Sequence, residues 1–488
     1  MIATAHILLT VVTMAALLLI GMLSGRHVKD AHSFAAGGNA NGWLVGGIIM
    51  GTLVGGQSTV GTAQMAFAYG LSAWWFTIGT ALGTLVLGLF FVVPLRRSGC
   101  LTLNEIVARE YGTTAERVGS VLSTLGIFIS IVAQILASAA LMTALFGMNG
   151  TWAAVVSALF IMFFVFFGGI RSAGIGGVVK LVLLYVCSIV AGVMVWRLAG
   201  GGAGISLSIQ HFFEQHETLA HHYDLHTTDD LRGRYGSLLA RGALKDLGAG
   251  VSLMLGVLCT QTYAQAVWAA RNNRAARRGA LLCAALTPLI GAACTLVGLY
   301  MRAHYVTADE MTLMGSTVTE EVMTDTAMAF PMFILHHLSP WLGGIVMGTL
   351  FVTILGGGSG LTLGATTIVV RDLFRRHRDS LLLYRGVVVL LVAAATATAL
   401  LVRETFINEL GFLSLGLRAT AIIFPLLCAL ALPGRVRAGY ATISMLVGTV
   451  AMLAAHLMKW PLDPSIWGIG AGFIAMLPGW RRKATPAC

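Results

Sequence analysis

The sequence is short of charge. Only 10% of its 488 residues are Asp, Glu, Lys or Arg, against 57% hydrophobic and a mean hydropathy of +0.84. A soluble globular chain carries about 25% charged residues, and no soluble fold of this size hides so much apolar surface. Soluble enzymes, secreted disulfide scaffolds and nucleic-acid binders are excluded, and an integral membrane protein is implied. Organised cysteine is lacking as well. The seven cysteines are odd in number, form no CxxC and fall mostly in apolar runs, as small core residues do. Neither a disulfide framework nor a zinc site is indicated. Carboxylates are missing from the middle of the apolar runs: all 20 acidic residues fall in connections or at run ends. A proton relay through buried carboxylates therefore has no obvious residues. No connection carries a nucleotide-binding motif or catalytic cluster, so no enzyme is expected.

What is present is a series of runs long enough to span. A crossing helix needs about 20 mostly apolar residues. Thirteen such runs are read: 3–24, 43–70, 72–95, 118–146, 152–169, 177–199, 248–269, 279–302, 341–370, 383–402, 411–432, 439–458 and 464–480. Arg26 and Lys29 follow the first run and no basic residue precedes it, the wrong polarity for a cleaved signal peptide. An outside N-terminus then makes cytoplasmic the connections that hold most of the 31 Lys and Arg, among them Arg96, Arg97, Arg271, Arg274, Arg277, Arg278, Arg435 and Arg437. The net charge of +11 is thus mainly an orientation signal. Tryptophans cluster near run ends, as an aromatic belt does. The expected location is the cell inner (cytoplasmic) membrane, with the C-terminus cytoplasmic and one long external loop at 200–247. That loop carries His211, His216, His221, His222 and His226 in no metal-binding spacing. A solvated amphipathic external helix is the plain reading, and a metal site the alternative.

Glycine is abundant and unevenly placed. Two clusters lie inside runs, "GGIIMGTLVGGQSTVG" from Gly46 and "LGGGSGLTLG" from Leu355. Glycine within a helix costs about 1 kcal/mol against alanine. Close helix packing repays that cost, or the helix is interrupted and its freed backbone groups bind a solute or ion. The second run is overlong for one crossing and has Gln57, Ser58 and Thr59 near its centre, which favours interruption. Thr260-Gln261-Thr262-Tyr263 in the seventh run repeats the small-Gln-hydroxyl pattern of Gly56-Gln57-Ser58-Thr59. The two stand five runs apart, the spacing that two repeats of opposite orientation require.

These residues carry a resemblance to the sodium:solute symporter family. "GGQSTVGTAQMAFAYG" resembles its first core helix, "LTLNEIVAREYG" a cytoplasmic loop, and "TQTYAQAVWAARNNRAARRGALL" the second broken helix. Ala266 stands where many members have arginine. "GLTLGATTIVVRDLF" is similar to the end of the eighth core helix and "SLGLRATAIIFPLL" to the tenth. The resemblance implies an all-α membrane protein of about 13 transmembrane helices, with a leucine-transporter-type core of two inverted five-helix repeats. The expected organisation is a first accessory span at 1–42, repeats at 43–199 and 248–432 around the loop, and accessory spans with a basic tail at 433–488.

The resemblance also implies sites. The sodium ion (Na+) is expected at backbone carbonyls of Gly51 and Val54 with Thr353, Gly356 and Gly357. The last two are usually Ser or Thr, so ligation departs from the family pattern. The solute is expected beside the breaks, at Gly55, Gly56, Gln57, Ser58, Gln261, Tyr263 and Gln265, with Gln134 lining the same cavity. For Gln57 and Gln261 helix-to-helix bonding is an equal alternative. Arg418, eight residues into the eleventh run, either pairs with a substrate carboxylate, gates, or snorkels to the interface. Lys180 either stands in for the bound cation or adds one more cytoplasmic charge. The expected function is import of a small organic solute by sodium symport; the alternative is a sodium-independent carrier. The lipid bilayer and the solute are the expected partners, with no nucleic acid and no obligatory protein.

Overall fold

The computed structural model describes residues 4–25, 39–315, 322–374, 376, 380–403 and 405–481. Within them, the side chains at 18, 20–25, 167–177 and 180 lie outside the description. The chain is almost wholly helical. In order come α1 (Thr4–Gly25), α2 (Gly42–Leu53), α3 (Thr62–Tyr69), α4 (Trp75–Val86), α5 (Leu103–Phe146) and α6 (Gly150–Leu198). Three shorter helices follow, α7 (Gly202–Gln215), one of six residues at Glu217–His222, and α8 (Thr228–Tyr235), then α9 (Ala243–Leu258), α10 (Gln261–Ala269) and α11 (Asn273–Arg302). The rest are α12 (Ala308–Met314), α13 (Ala329–His337), α14 (Pro340–Ile368), α15 (Leu381–Leu401), α16 (Ile407–Ala431), α17 (Ala438–Leu457) and α18 (Pro464–Met476). A two-residue parallel pair, β1 (Val306–Thr307) with β2 (Val322–Met323), is the sheet among the described residues.

Among the described residues, eight helical stretches are long and apolar enough to cross a membrane, and a ninth if α9 and α10 count as one span bent by 46°. The thirteen expected runs are therefore not matched one for one. One reason is merging. Gln57–Ser98 counts as a single stretch of 42 residues, about 63 Å at 1.5 Å per residue and twice the hydrocarbon thickness. It turns at Gly70, whose φ of 57° suits glycine and whose Cα lies flush against the Tyr235 backbone. The expected fifth and sixth runs likewise fall in the one helix α6, and their expected connection lies among residues whose side chains are outside the description. A second reason is length: α2 has 12 residues, because the second run is interrupted. Trp43, Trp152 and Trp341 sit in the first turns of α2, α6 and α14 and are 66–68% exposed, as belt residues are.

Helix ends are made by recognisable chemistry. Thr102 caps α5 by accepting from the Glu105 N–H (3.0 Å), while Glu105 accepts from the Leu101 N–H (2.9 Å). Gly112, at φ 82°, splits α5 into a short first segment and a long second one. Asn41 and Asn272 cap α2 and α11. Ala40 pairs with Ala270 as an isolated bridge, tying the start of α2 to the end of α10. Arg96 closes that junction: its Nη1 donates to the carbonyls of Val267 (3.0 Å) and Ala270 (2.5 Å), satisfying the open C-terminus of α10.

On the opposite face, residues 202–236 form a packed cap rather than a loosely solvated helix. Ile205, Ile209, Phe212 and Phe213 of α7 are buried. Arg302 is buried beneath them, paired with Glu310 at 2.6 Å and roofed by the rings of Phe67, Phe212 and Phe213. The loop histidines pack separately: His216 stacks on Phe212, while His222 meets Tyr223 and His221 meets His226 edge to face. Among the described residues no three metal-ligating groups converge.

Candidate functional site

The second run is interrupted as its glycines suggested. α2 ends at Leu53, Val54 turns to φ −91°, ψ 97°, and a π turn over Gln57–Gly61 leads into α3. The hydroxyls of this stretch are spent on carbonyls the break leaves open. Ser58 donates to Leu53 O (3.0 Å), Thr59 to Gly55 O (2.9 Å) and Thr62 to Gln57 O (3.2 Å). The Gly56 N–H donates to Oε1 of Gln134, reaching in from α5 at 2.7 Å. A Cβ on Gly55 would stand 2.7 Å from the Gln134 amide, and one on Gly56 would overlap Ala137. Those two glycines exist so that α5 can approach and its carboxamide can cap the break.

α14 closes this niche. Gly360 lies against Thr52, and a Cβ on Gly357 would sit 3.3 Å from Gln134 Nε2 and 3.4 Å from the Gly55 Cα. The structure thus brings Gly55, Gly56, Gln134 and Gly357 together, with Gly51, Val54 and Thr353 on the same facing stretches of α2 and α14. At Gly357 the missing side chain leaves room for the Gln134 carboxamide to approach the backbone. Thr353 donates to Thr349 O (2.7 Å) and Ser359 to Gly356 O (2.9 Å). Gly356 and Ser359 are partly exposed among buried neighbours.

The second break falls at Cys259–Thr260, between α9 and α10. Gln261 there is committed elsewhere. Its Oε1 accepts from the Leu103 N–H (3.0 Å) and its Nε2 donates to Leu101 O (2.8 Å), so it fastens the break to the start of α5. Tyr263 is buried. Gln265 Nε2, Thr262 Oγ1 and, at the first break, Gln57 Nε2 are buried with no hydrogen-bond partner among the described residues. Gln57 has turned toward Gly411 of α16 and Phe76 of α4. Arg418 does not snorkel: it is 1% exposed and its guanidinium fills the second break. Nη1 donates to Thr260 Oγ1 (2.8 Å), Nη2 to Ser130 Oγ (2.7 Å) and Ser414 Oγ (2.5 Å), and Nε to Ser414 O (3.2 Å). The side chain of Lys180 lies outside the described residues.

Sequence reading missed three supports of this core. Gln64 accepts from the Ile407 N–H (3.0 Å) and donates to Thr326 Oγ1 (3.2 Å), sealing the floor of a cavity of about 160 Å³ lined by Thr143, Asp325, Met328 and Arg403. Asp372 accepts from Thr102 (2.8 Å), Ser120 (3.0 Å) and Asn104 (3.4 Å), so the "VRDLF" end of α14 is tied to the "LTLNE" turn. Asp246, at the start of α9, is buried against Arg241 at 2.7 Å. The motifs holding Asp372, Thr102 and Asn104 were visible separately; nothing in a single sequence said that they bond one another.

Comparison with known proteins agrees with this architecture. A symporter of Bacillus subtilis, YwcA, itself uncharacterized, is 26% identical over 44% of this chain and 41% of its own. The human high affinity choline transporter 1 is 25% identical over 84% of this chain, which covers 69% of that protein. In structure the chain is similar to a Na+-coupled sialic acid symporter in a substrate-bound outward-open state, with a TM-score of 0.72 at 16% identity over 97% of both chains. A nucleobase-cation-symport-1 family transporter in a closed conformation matches with a TM-score of 0.54 at 13% identity, over 91% of this chain and 92% of its own. Both likenesses concern the fold, which these transporters share. The sequence matches the sodium:solute symporter family over residues 33–448. The chain belongs to the sodium:solute symporter family, a family of multi-pass membrane transporters rather than enzymes.

Proposed function

We propose that the protein is a secondary active symporter that carries a small organic solute across the cytoplasmic membrane together with sodium. The observation that carries this reading is the pair of interrupted helices, α2–α3 and α9–α10, with α14 lying along the first break. Interrupted helices leave backbone dipoles open inside the protein, which is where a desolvated ion and solute are held. Sodium lies at Gly51, Val54, Thr353, Gly356 and Gly357, and the solute is held beside Gly55, Gly56, Gln57, Ser58, Gln134, Tyr263 and Gln265. Gln261 acts by positioning the second break. The chain crosses thirteen times, ten of them in two inverted five-helix repeats, 43–199 and 248–432, with the N-terminus and the 202–236 cap outside and the C-terminus cytoplasmic.

The test needs no knowledge of the solute. Thermal unfolding of the purified chain is compared in sodium chloride and potassium chloride. An ion that binds only the folded state at one hundred times its Kd adds about 2.7 kcal/mol, so the melting temperature is higher in sodium. Equal melting temperatures sink the sodium reading and leave the sodium-independent carrier. One contact favours that second reading: the Gln134 carboxamide stands against Gly357, where the family has a hydroxyl. Gly357→Ser sharpens the choice, because a restored hydroxyl strengthens the sodium-dependent shift if sodium binds there.

A further inference from the structure

Two arginine side chains among the described residues are almost fully buried and ion-paired. Arg302 has Glu310 at 2.6 Å and Arg241 has Asp246 at 2.7 Å. Arg418 is as deeply buried, yet among the described residues no carboxylate lies within ion-pair distance of it. Its partners are the hydroxyls of Thr260, Ser130 and Ser414 and one carbonyl, all neutral. A guanidinium has five N–H donors, and one on Nη1 has no partner among the described residues. A buried charge without a counter-charge is costly. The open C-terminal end of α9, whose Gly256 carbonyl is reached through Thr260 Oγ1 (2.7 Å), offsets part of it. A helix end supplies only about half a unit charge, so net positive charge remains at the break.

An unpartnered side chain against the same helix points the same way. Gln57 Nε2 is a donor, buried and without an acceptor among the described residues. Gln57 stands against Gly411 of α16. Gly411, Ser414 and Arg418 are spaced i, i+3, i+7, so they share one face of that helix. From Gly411 to Arg418 the rise is about 10 Å. That face therefore has an acceptor-seeking group at each end, and one of them is cationic. A cationic solute is repelled there. A neutral polyol supplies acceptors but no counter-charge. A carboxylate supplies both, in a planar geometry that fits a guanidinium fork. The hydroxyls of Ser130 and Ser414 lie 2.6 Å apart, so each keeps a partner when a carboxylate takes Nη2.

We propose that the transported solute is an organic carboxylate, and that Arg418 pairs with its anionic group at the second break. The inference rests on the symport reading and names the substrate class of that same site. The test is thermal unfolding of the purified full-length protein in sodium chloride, with acetate, pyruvate, lactate, succinate, choline or glucose added. At least one carboxylate raises the melting temperature, and choline and glucose do not. For that carboxylate, Arg418→Lys raises the Kd roughly 10–100-fold, the loss of one charge-assisted hydrogen bond, and Arg418→Gln abolishes the shift. Stabilisation by choline or glucose alone, no shift with any carboxylate, or an undiminished shift in Arg418→Gln each overturns the inference. If Arg418→Gln does not fold, the wild-type panel and Arg418→Lys still decide. The sodium effect is read on wild type without solute, so the symport reading and the carboxylate inference stand or fall separately.

Discussion

Arg302 and Arg418 are each 1% exposed, but their surroundings differ in kind. Around Arg302 the charge is paired locally: Glu310 supplies the counter-charge, Tyr223 and the Thr307 N–H complete the carboxylate, and aromatic faces cover the guanidinium, whose Nε and Nη2 have no hydrogen-bond partner among the described residues. Burial pushes the Glu310 carboxyl up, but the Arg302 guanidinium, with the Thr307 and Tyr223 hydrogen bonds, outweighs it and holds Glu310 below its ordinary value. Around Arg418 only hydroxyl and carbonyl dipoles answer. A charge-paired network of the first kind clamps a cap onto a bundle. One without a counter-charge, at a helix break, is what a binding site looks like before its ligand arrives.

The comparison breaks most visibly at the cap. Glu310→Ala leaves Arg302 buried and unpaired, and losses of about 3–5 kcal/mol accompany such a change. Faster hydrogen exchange across 202–236, with a lower melting temperature, is the expected result. Next is Ser414→Ala, which removes one charge-assisted bond and costs about 1.5–3 kcal/mol; denaturant unfolding measures it. Gln134→Ala strips the Gly56 N–H of its acceptor in the first break, at about 1–3 kcal/mol, and uptake falls with it. Its cost sets the scale for a neutral network beside the charged one.

The smallest effect is a pH dependence that belongs to the cap alone. Glu310 titrates lower in the folded protein than its ordinary 4.5. Its contribution is complete above that value and is lost as pH falls through the depressed folded value. Acidification below the ordinary value therefore loosens the cap while leaving the Arg418 cluster, which has no carboxylate, unaffected. Hydrogen exchange across 202–236 and across α16 on an acid series separates them. Equal loosening of both regions contradicts the contrast drawn between the two arginines.

Much of the scaffold was legible. The apolar runs follow from composition, because a helix facing lipid must be apolar along its length. The break at 54–57 follows from glycine and central polar residues, which have no reason to interrupt a lipid-facing helix. The family resemblance rested on stretches that include both broken helices, together with the end of α14 and part of α16. Less legible were partners. Gln57 and Gln261 look equivalent in their local patterns, yet one is buried without a partner for its Nε2 and the other is bonded to residues 101 and 103. Arg96 reads as one more orientation charge, yet it caps α10.

The sequence by itself determined that this chain lives in a bilayer, that it is helical, and where two of its helices are interrupted. These are properties of local composition and spacing. Only the tertiary structure decided what fills the breaks: the Gln134 carboxamide, 78 residues from Gly56, in the first, and the Arg418 guanidinium, 158 residues from Thr260, in the second. A buried polar group is satisfied by whatever packing brings within about 3 Å, and packing at that range depends on chain segments remote in sequence.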